Sequence, residues 1–161
     1  MFVSDETHIR HLRRALKLAS DNARSGNGGP FGAVIAAGDE VIAEGVNRVA
    51  ANLDPTAHAE VSAIREACLK LGRFSLRGCA LYSSCEPCPM CLGAIYWARL
   101  DALYFAASRE DAAGAGFDDS FLYEQIPLGL RQRALPTARL LPEEGAEAFA
   151  AWLKRPDRIP Y

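Results

Sequence analysis

Two short stretches carry the residue types from which a catalytic metal site can be built. They are His58-Ala59-Glu60 and Ser83-Ser84-Cys85-Glu86-Pro87-Cys88-Pro89-Met90-Cys91. One neutral imidazole and two thiolates supply three of the four ligands of tetrahedral zinc, and an open fourth position is what separates a catalytic centre from a structural one. Glu60 is not needed as a ligand. A free carboxylate beside an open zinc position can take a proton from an activated water and hand it to a leaving group. Cys85 supports a rival reading, because Cys85, Cys88 and Cys91 with His58 count four donors and would close the zinc as a structural site. That arrangement leaves Glu60 without a task. Cys85 reads instead as a strand-end bystander, with His58, Cys88 and Cys91 as the ligands.

Both halves need rigid elements behind them. A helix is predicted from about Ala57 to Leu71, with Val61, Ile64, Cys68 and Leu71 on one face and Gly72 as its stop, so His58 falls in its first turn. Cys79 to Ser83 reads as a short apolar strand, and Pro89 opens a helix through Gly93, Ile95 and Trp97. The ligands therefore project from two helix N-termini, whose partial positive charge favours thiolate over thiol. The strand Ala102 to Ala106 follows, and the alternation of helix and strand predicts parallel neighbours in a sheet covered by helices, an α/β architecture.

Upstream, Ile9, Leu12, Leu16, Ala19 and Ala23 recur at helical spacing from Ser4 to about Ser25, which predicts an amphipathic first helix with His8 and His11 on its solvated side. Gly26 to Pro30 ends it. Phe31 to Ala37, a turn at Gly38-Asp39 and Glu40 to Asn47 read as a β-hairpin whose last residue, Asn47, could be an ordinary turn former. Asp118 or Asp119 is expected to cap a short helix after a glycine-rich loop, and Leu141-Pro142 to open a last helix through Phe149, Trp152 and Leu153.

Length and composition bound the rest. The 161 residues, half of them hydrophobic, fit one domain spanning 1–161. A formal charge of −2, with Arg13-Arg14 the longest basic run of the first helix, argues against a nucleic-acid partner. No long apolar run points to a membrane, and Met1 to Glu6 lacks a basic, then apolar, leader pattern. Five cysteines, three of them within seven residues, suit a reducing compartment, the cytoplasm, with a metal site better than a disulfide framework.

His-x-Glu followed by Pro-Cys-x-x-Cys is the signature of zinc deaminases that act on nucleobases, and His58-Ala59-Glu60 with Pro87-Cys88-Pro89-Met90-Cys91 matches it position by position. The chain resembles the cytidine deaminase-like superfamily from about Gly29 to Ala106, through Pro30 to Ile35, Asn47 and the two motifs. Within it, Trp97-Ala98-Arg99, the run Asp111 to Phe121 and a terminal tyrosine are similar to the bacterial guanine deaminases. The resemblance implies a three-layer α/β/α fold with a central five-stranded mixed sheet, and hydrolysis of guanine to xanthine and ammonia. It implies Zn2+ on His58, Cys88 and Cys91, and Glu60 as proton shuttle. It implies Asn47, Asp119 and Tyr161 around the purine base, with Phe31, Ala59 and Trp97 lining the pocket. It further implies a homodimer in which the segment 142–161 is exchanged, so that Tyr161 acts in its partner's site.

Guanine offers N1-H and an amine as donors, which a carboxylate such as Asp119 could accept, whereas adenine has an unprotonated N1 there. The competing expectation is a tRNA-editing adenosine deaminase, which shares the metal motifs but needs basic residues near the site. Here Arg131, Arg133 and Arg139 are scattered between acidic pairs. Another purine, guanosine or an aminotriazine are further substrate alternatives.

Overall fold

The computed structural model describes residues 4–161. Met1, Phe2 and Val3, part of the stretch read above as lacking a leader, lie outside them. The described chain falls into two compact units, one ending at Asp119 and the other spanning Ser120–Tyr161.

In the first unit, α1 (Asp5–Ser25) starts on Ser4, whose hydroxyl accepts from the Thr7 N–H, and ends on Gly26 at φ 71°. The hairpin of β1 (Gly32–Ala37) and β2 (Glu40–Val46) turns at Gly38-Asp39. A single turn α2 (Val49–Asn52), unforeseen in a stretch without period, leads to α3 (Ala59–Leu71), closed by Gly72. Then come β3 (Ala80–Cys85), α4 (Pro89–Trp97), β4 (Ala102–Ala107) and α5 (Arg109–Gly114).

The strand order is β2-β1-β3-β4, with β1 antiparallel to both neighbours and β3 parallel to β4. The sheet is mixed, as expected, but it has four strands among the described residues rather than five. Past β4 the chain enters α5, capped by Ser108, and the stretch beyond Gln125 is interrupted by Pro127, Gly129 and Pro136. Prolines lack the N–H a ladder needs, and no period-2 run survives between them.

Alternation along the strands divides the core. Ala33, Ile35 and Leu81 face one side with Ala59, Ala63 and Ala67 of α3 and Ile95 of α4. Val34, Ala36 and Tyr82 face the other with Ala15 of α1. Helices thus cover both faces in three layers. The packing is close because two glycines admit it. A Cβ on Gly45 would meet the Ala59 carbonyl at 2.1 Å, and one on Gly32 the Ala15 carbonyl at 2.5 Å.

That approach corrects the expected face of α1. Thr7, His11, Ala15, Ala19 and Asn22 are buried, whereas Ile9 and Leu16 are 49% and 40% exposed. Small Ala15 and Ala19 occupy the contact over Gly32, which rotates the helix away from its bulkier stripe. His11 is consequently internal, its Nε2 2.9 Å from the Gly38 carbonyl, and His8 Nδ1 stands 2.9 Å from the Tyr82 hydroxyl.

The second unit holds α6 (Ser120–Gln125) and α7 (Pro142–Leu153), and neither helix contains a buried residue. No helix of the described residues is long and apolar enough to cross a membrane.

Candidate active site

His58 is the N-cap of α3 and Cys88 the N-cap of α4, each in extended backbone and neither spending its side chain on a capping bond. Their side chains are therefore available at the helix N-termini. Cys91 sits in the first turn of α4, where Pro89 at the start supplies the helical φ and has no N–H to satisfy. His58 Nδ1 lies 3.6 Å from Cys88 Sγ and 3.5 Å from Cys91 Sγ. The three ligand atoms all fall within 4.8 Å of one another.

This spacing can be tested against a metal. Tetrahedral zinc with bonds of about 2.3 Å to sulfur and about 2.05 Å to nitrogen sets nitrogen and sulfur about 3.5 Å apart. The donor set and its separations fit zinc. Bonds from the Cys91 thiol first, and from His58, pull the Cys88 thiol down to about 4, while sharing with Cys88 and burial push Cys91 up. The pair holds one thiolate readily.

Cys85 stands apart from this cluster. Its thiol donates to the Ser108 carbonyl at 3.4 Å, and burial pushes it up to about 11, so it remains a thiol at the strand end. The three-ligand cluster does not include it.

Glu60, in the first turn of α3, is 5% exposed, and burial raises its carboxyl above the usual range in spite of the helix N-terminus. Its Oε2 accepts from Cys91 Sγ at 3.4 Å and its Oε1 from the Ser83 hydroxyl at 3.3 Å. Ala59, fully buried beside it, carries the carbonyl against which Gly45 packs.

Asn47 is buried where β2 ends. Its Oδ1 accepts from the Gly29 and Val49 N–H groups at 3.4 and 3.3 Å, which turns the amide nitrogen the other way. Asn22 holds this corner by donating to the Asn47 and Gly29 carbonyls at 2.9 and 2.8 Å. Phe31 meets Phe117 edge-on, with ring centroids 4.9 Å apart. Asp119 is half-buried, and its carboxyl is pushed up by burial and then by the charge of nearby Cys88.

One expected residue of the first unit stands apart from this group. Trp97 lies at the opposite end of α4, 63% exposed, with the Arg99 guanidinium 5.6 Å from its ring. Tyr161 belongs to the second unit and is 77% exposed. Ser83 and Asn22 were not singled out from sequence. For Ser83 the available signal was a hydroxyl within an apolar strand; Asn22 lies off the stripe that the sequence predicts for α1 and carried none.

Residues 5–107 match the family described as cytidine and deoxycytidylate deaminase zinc-binding region. The chain belongs to this deaminase family. It is 53% identical over 145 residues to a guanine deaminase of Bacillus subtilis (strain 168), a match covering 90% of this chain and 93% of the relative. The X-ray structure of guanine deaminase from Bacillus subtilis is similar with a TM-score of 0.93 at 51% identity, over 96% of this chain and 98% of that one. A tRNA-specific adenosine deaminase of Bacillus subtilis (strain 168) is 38% identical over 103 residues, 64% of this chain and 62% of the relative. Likeness to the tRNA enzyme spans under two thirds of this chain; likeness to guanine deaminase runs nearly end to end.

Proposed function

We propose that this chain is a zinc-dependent hydrolase that converts guanine and water to xanthine and ammonia. The observation that carries the chemistry is the buried Glu60 carboxylate 3.4 Å from the Cys91 sulfur, against the ligand cluster without being part of it. The near full-length likeness to guanine deaminase supports the choice of guanine.

His58 Nδ1, Cys88 Sγ and Cys91 Sγ hold the metal. Zinc bound there supplies an electrophilic centre that makes water acidic near neutral pH. Glu60 would take a proton from the attacking water and deliver it to the departing exocyclic amine. A carboxylate that can both accept and release a proton serves both halves of that exchange. Asn47 donates its amide N–H to an acceptor of the purine, and Asp119 accepts from the N1-H and amine edge. Phe31 and Ala59 line the base.

We place Tyr161 in the pocket of a second subunit, within a homodimer that exchanges the segment 142–161 of a single domain spanning 1–161. The exposed Phe149 and Leu153 of α7, 73% and 65%, and Tyr96 at 71% on α4 support an assembly that covers them. The five free thiols suit the reducing cytoplasm.

Zinc-loaded protein incubated with guanine, adenine, cytosine, their nucleosides and a tRNA anticodon stem-loop, with ammonia followed in each case, tests the reading. Ammonia from guanine is expected. Ammonia from the stem-loop with guanine untouched would replace it with the tRNA reading. Deleting Tyr161 is expected to raise KM for guanine, and unchanged kinetics would remove it from the pocket.

A further inference from the structure

Ser83 occupies a position where the fold calls for a hydrocarbon. It alternates with Leu81 on the α3 face of β3, pairs with Ala33 of β1 and Phe105 of β4, and is 2% exposed. A hydroxyl in such a layer needs a partner, and the one it has is Glu60 Oε1, at 3.3 Å.

The other carboxylate oxygen has a different fate. Oε2 accepts from the Cys91 thiol at 3.4 Å, but a metal-bound cysteine is a thiolate with no proton to donate. Loading the site therefore removes that bond and leaves Glu60 held by the Ser83 hydroxyl and by its own backbone N–H. We propose that Ser83 is a positioning residue, anchoring Glu60 through Oε1 so that Oε2 alone is turned to the reacting groups. This rests on the reading of Glu60 as the proton carrier. A carboxylate tethered by one oxygen loses one of its two equivalent orientations, which spares the reaction the cost of aligning it at each turnover.

Three substitutions test this. Ser83→Thr keeps the hydroxyl and Ser83→Val keeps the same branched shape without it; Ser83→Ala removes a single oxygen and carries the test if the branched pair does not fold. In zinc-loaded Ser83→Val and Ser83→Ala, kcat for guanine is expected to fall on the order of 10-fold or more, with KM within about two-fold and zinc content unchanged. Ser83→Thr is expected to recover to within about three-fold of the parent. Crystals of zinc-loaded Ser83→Ala should show the Glu60 carboxylate rotated or split between orientations, whereas in the metal-free variant the Cys91 thiol still holds Oε2. A parental kcat in Ser83→Ala, a loss confined to KM, or an equal loss in well-folded Ser83→Thr would overturn the proposal. Should the parent protein fail to deaminate guanine, the functional reading falls on that arm. The zinc-loaded crystals then decide the positioning role by themselves, and an unmoved Glu60 in zinc-loaded Ser83→Ala rejects it.

Discussion

His58 Nδ1 and Cys91 Sγ, 33 positions apart in the chain, come within 3.5 Å because two helices begin side by side on one face of the sheet. Cys88 completes the triangle while Cys85, in the same cysteine run, turns to the Ser108 carbonyl. One zinc per chain is therefore expected by elemental analysis, lost on replacing His58, Cys88 or Cys91 by alanine. Cys85→Ala is expected to keep the metal and most of the turnover, with a stability loss of about 1–2 kcal/mol for a small buried side chain. Loss of the metal in Cys85→Ala would instead mark a closed four-ligand site.

Asn47 has its oxygen committed to two backbone N–H groups, so its amide nitrogen is the atom left for a ligand. Asn47→Asp preserves the acceptor and abolishes the donor. The fold is expected to survive, measured by thermal unfolding, while kcat/KM for guanine falls about 100-fold or more, since a carboxylate facing a purine acceptor is repelled.

Gly45 lets α3 sit against β2, and a Cβ there would meet both the Ala59 carbonyl at 2.1 Å and the Ala63 N–H at 2.6 Å. Those are backbone atoms and cannot swing aside. Gly45→Ala is expected to destabilise by about 1–3 kcal/mol in urea unfolding. Because α3 carries His58 and Glu60 at its start, zinc affinity should weaken in the same variant. Parental zinc affinity and stability together would show that the helix tolerates displacement.

Asp39 in the hairpin turn accepts from the Thr7 hydroxyl at 2.7 Å and from Arg10 at 2.6 Å, tying the turn to α1. Those bonds, the Thr7 hydroxyl first, hold its carboxyl below the ordinary range. Its folded value is thus lower than its unfolded one, so its contribution is present above about pH 4 and is lost as pH falls through the lower folded value. Thermal melts of the parent and Asp39→Asn are expected to differ at neutral pH and to converge under strong acid. A gap that widened on acidification would contradict the assignment.

Much of this arrangement is legible from local pattern. Helix starts at Pro89 and near His58, the stop at Gly72 and the hairpin around Gly38-Asp39 depend on backbone preferences of a few neighbouring residues, and they appear where expected. The short α5 was also announced locally, by Ser108 and Asp111 bonding each other's backbone N–H as a capping box, although it was not anticipated. The strand count was not readable in that way, since it depends on whether distant segments find an open sheet edge.

The sequence by itself determined the chemistry, because a metal chooses its ligands by atom type and the spacing of His58, Glu60, Cys88 and Cys91 places them at helix starts whatever surrounds them. Only the tertiary structure decided which like residues take part. Cys85 is set aside by one hydrogen bond to Ser108, and His11 is drawn inward because Ala15 and Ala19 must pass over Gly32. Ser83 meets Glu60 because β3 runs beneath α3. Each of these rests on contacts between segments far apart in the chain, where packing and hydrogen-bond satisfaction override what a local pattern can express.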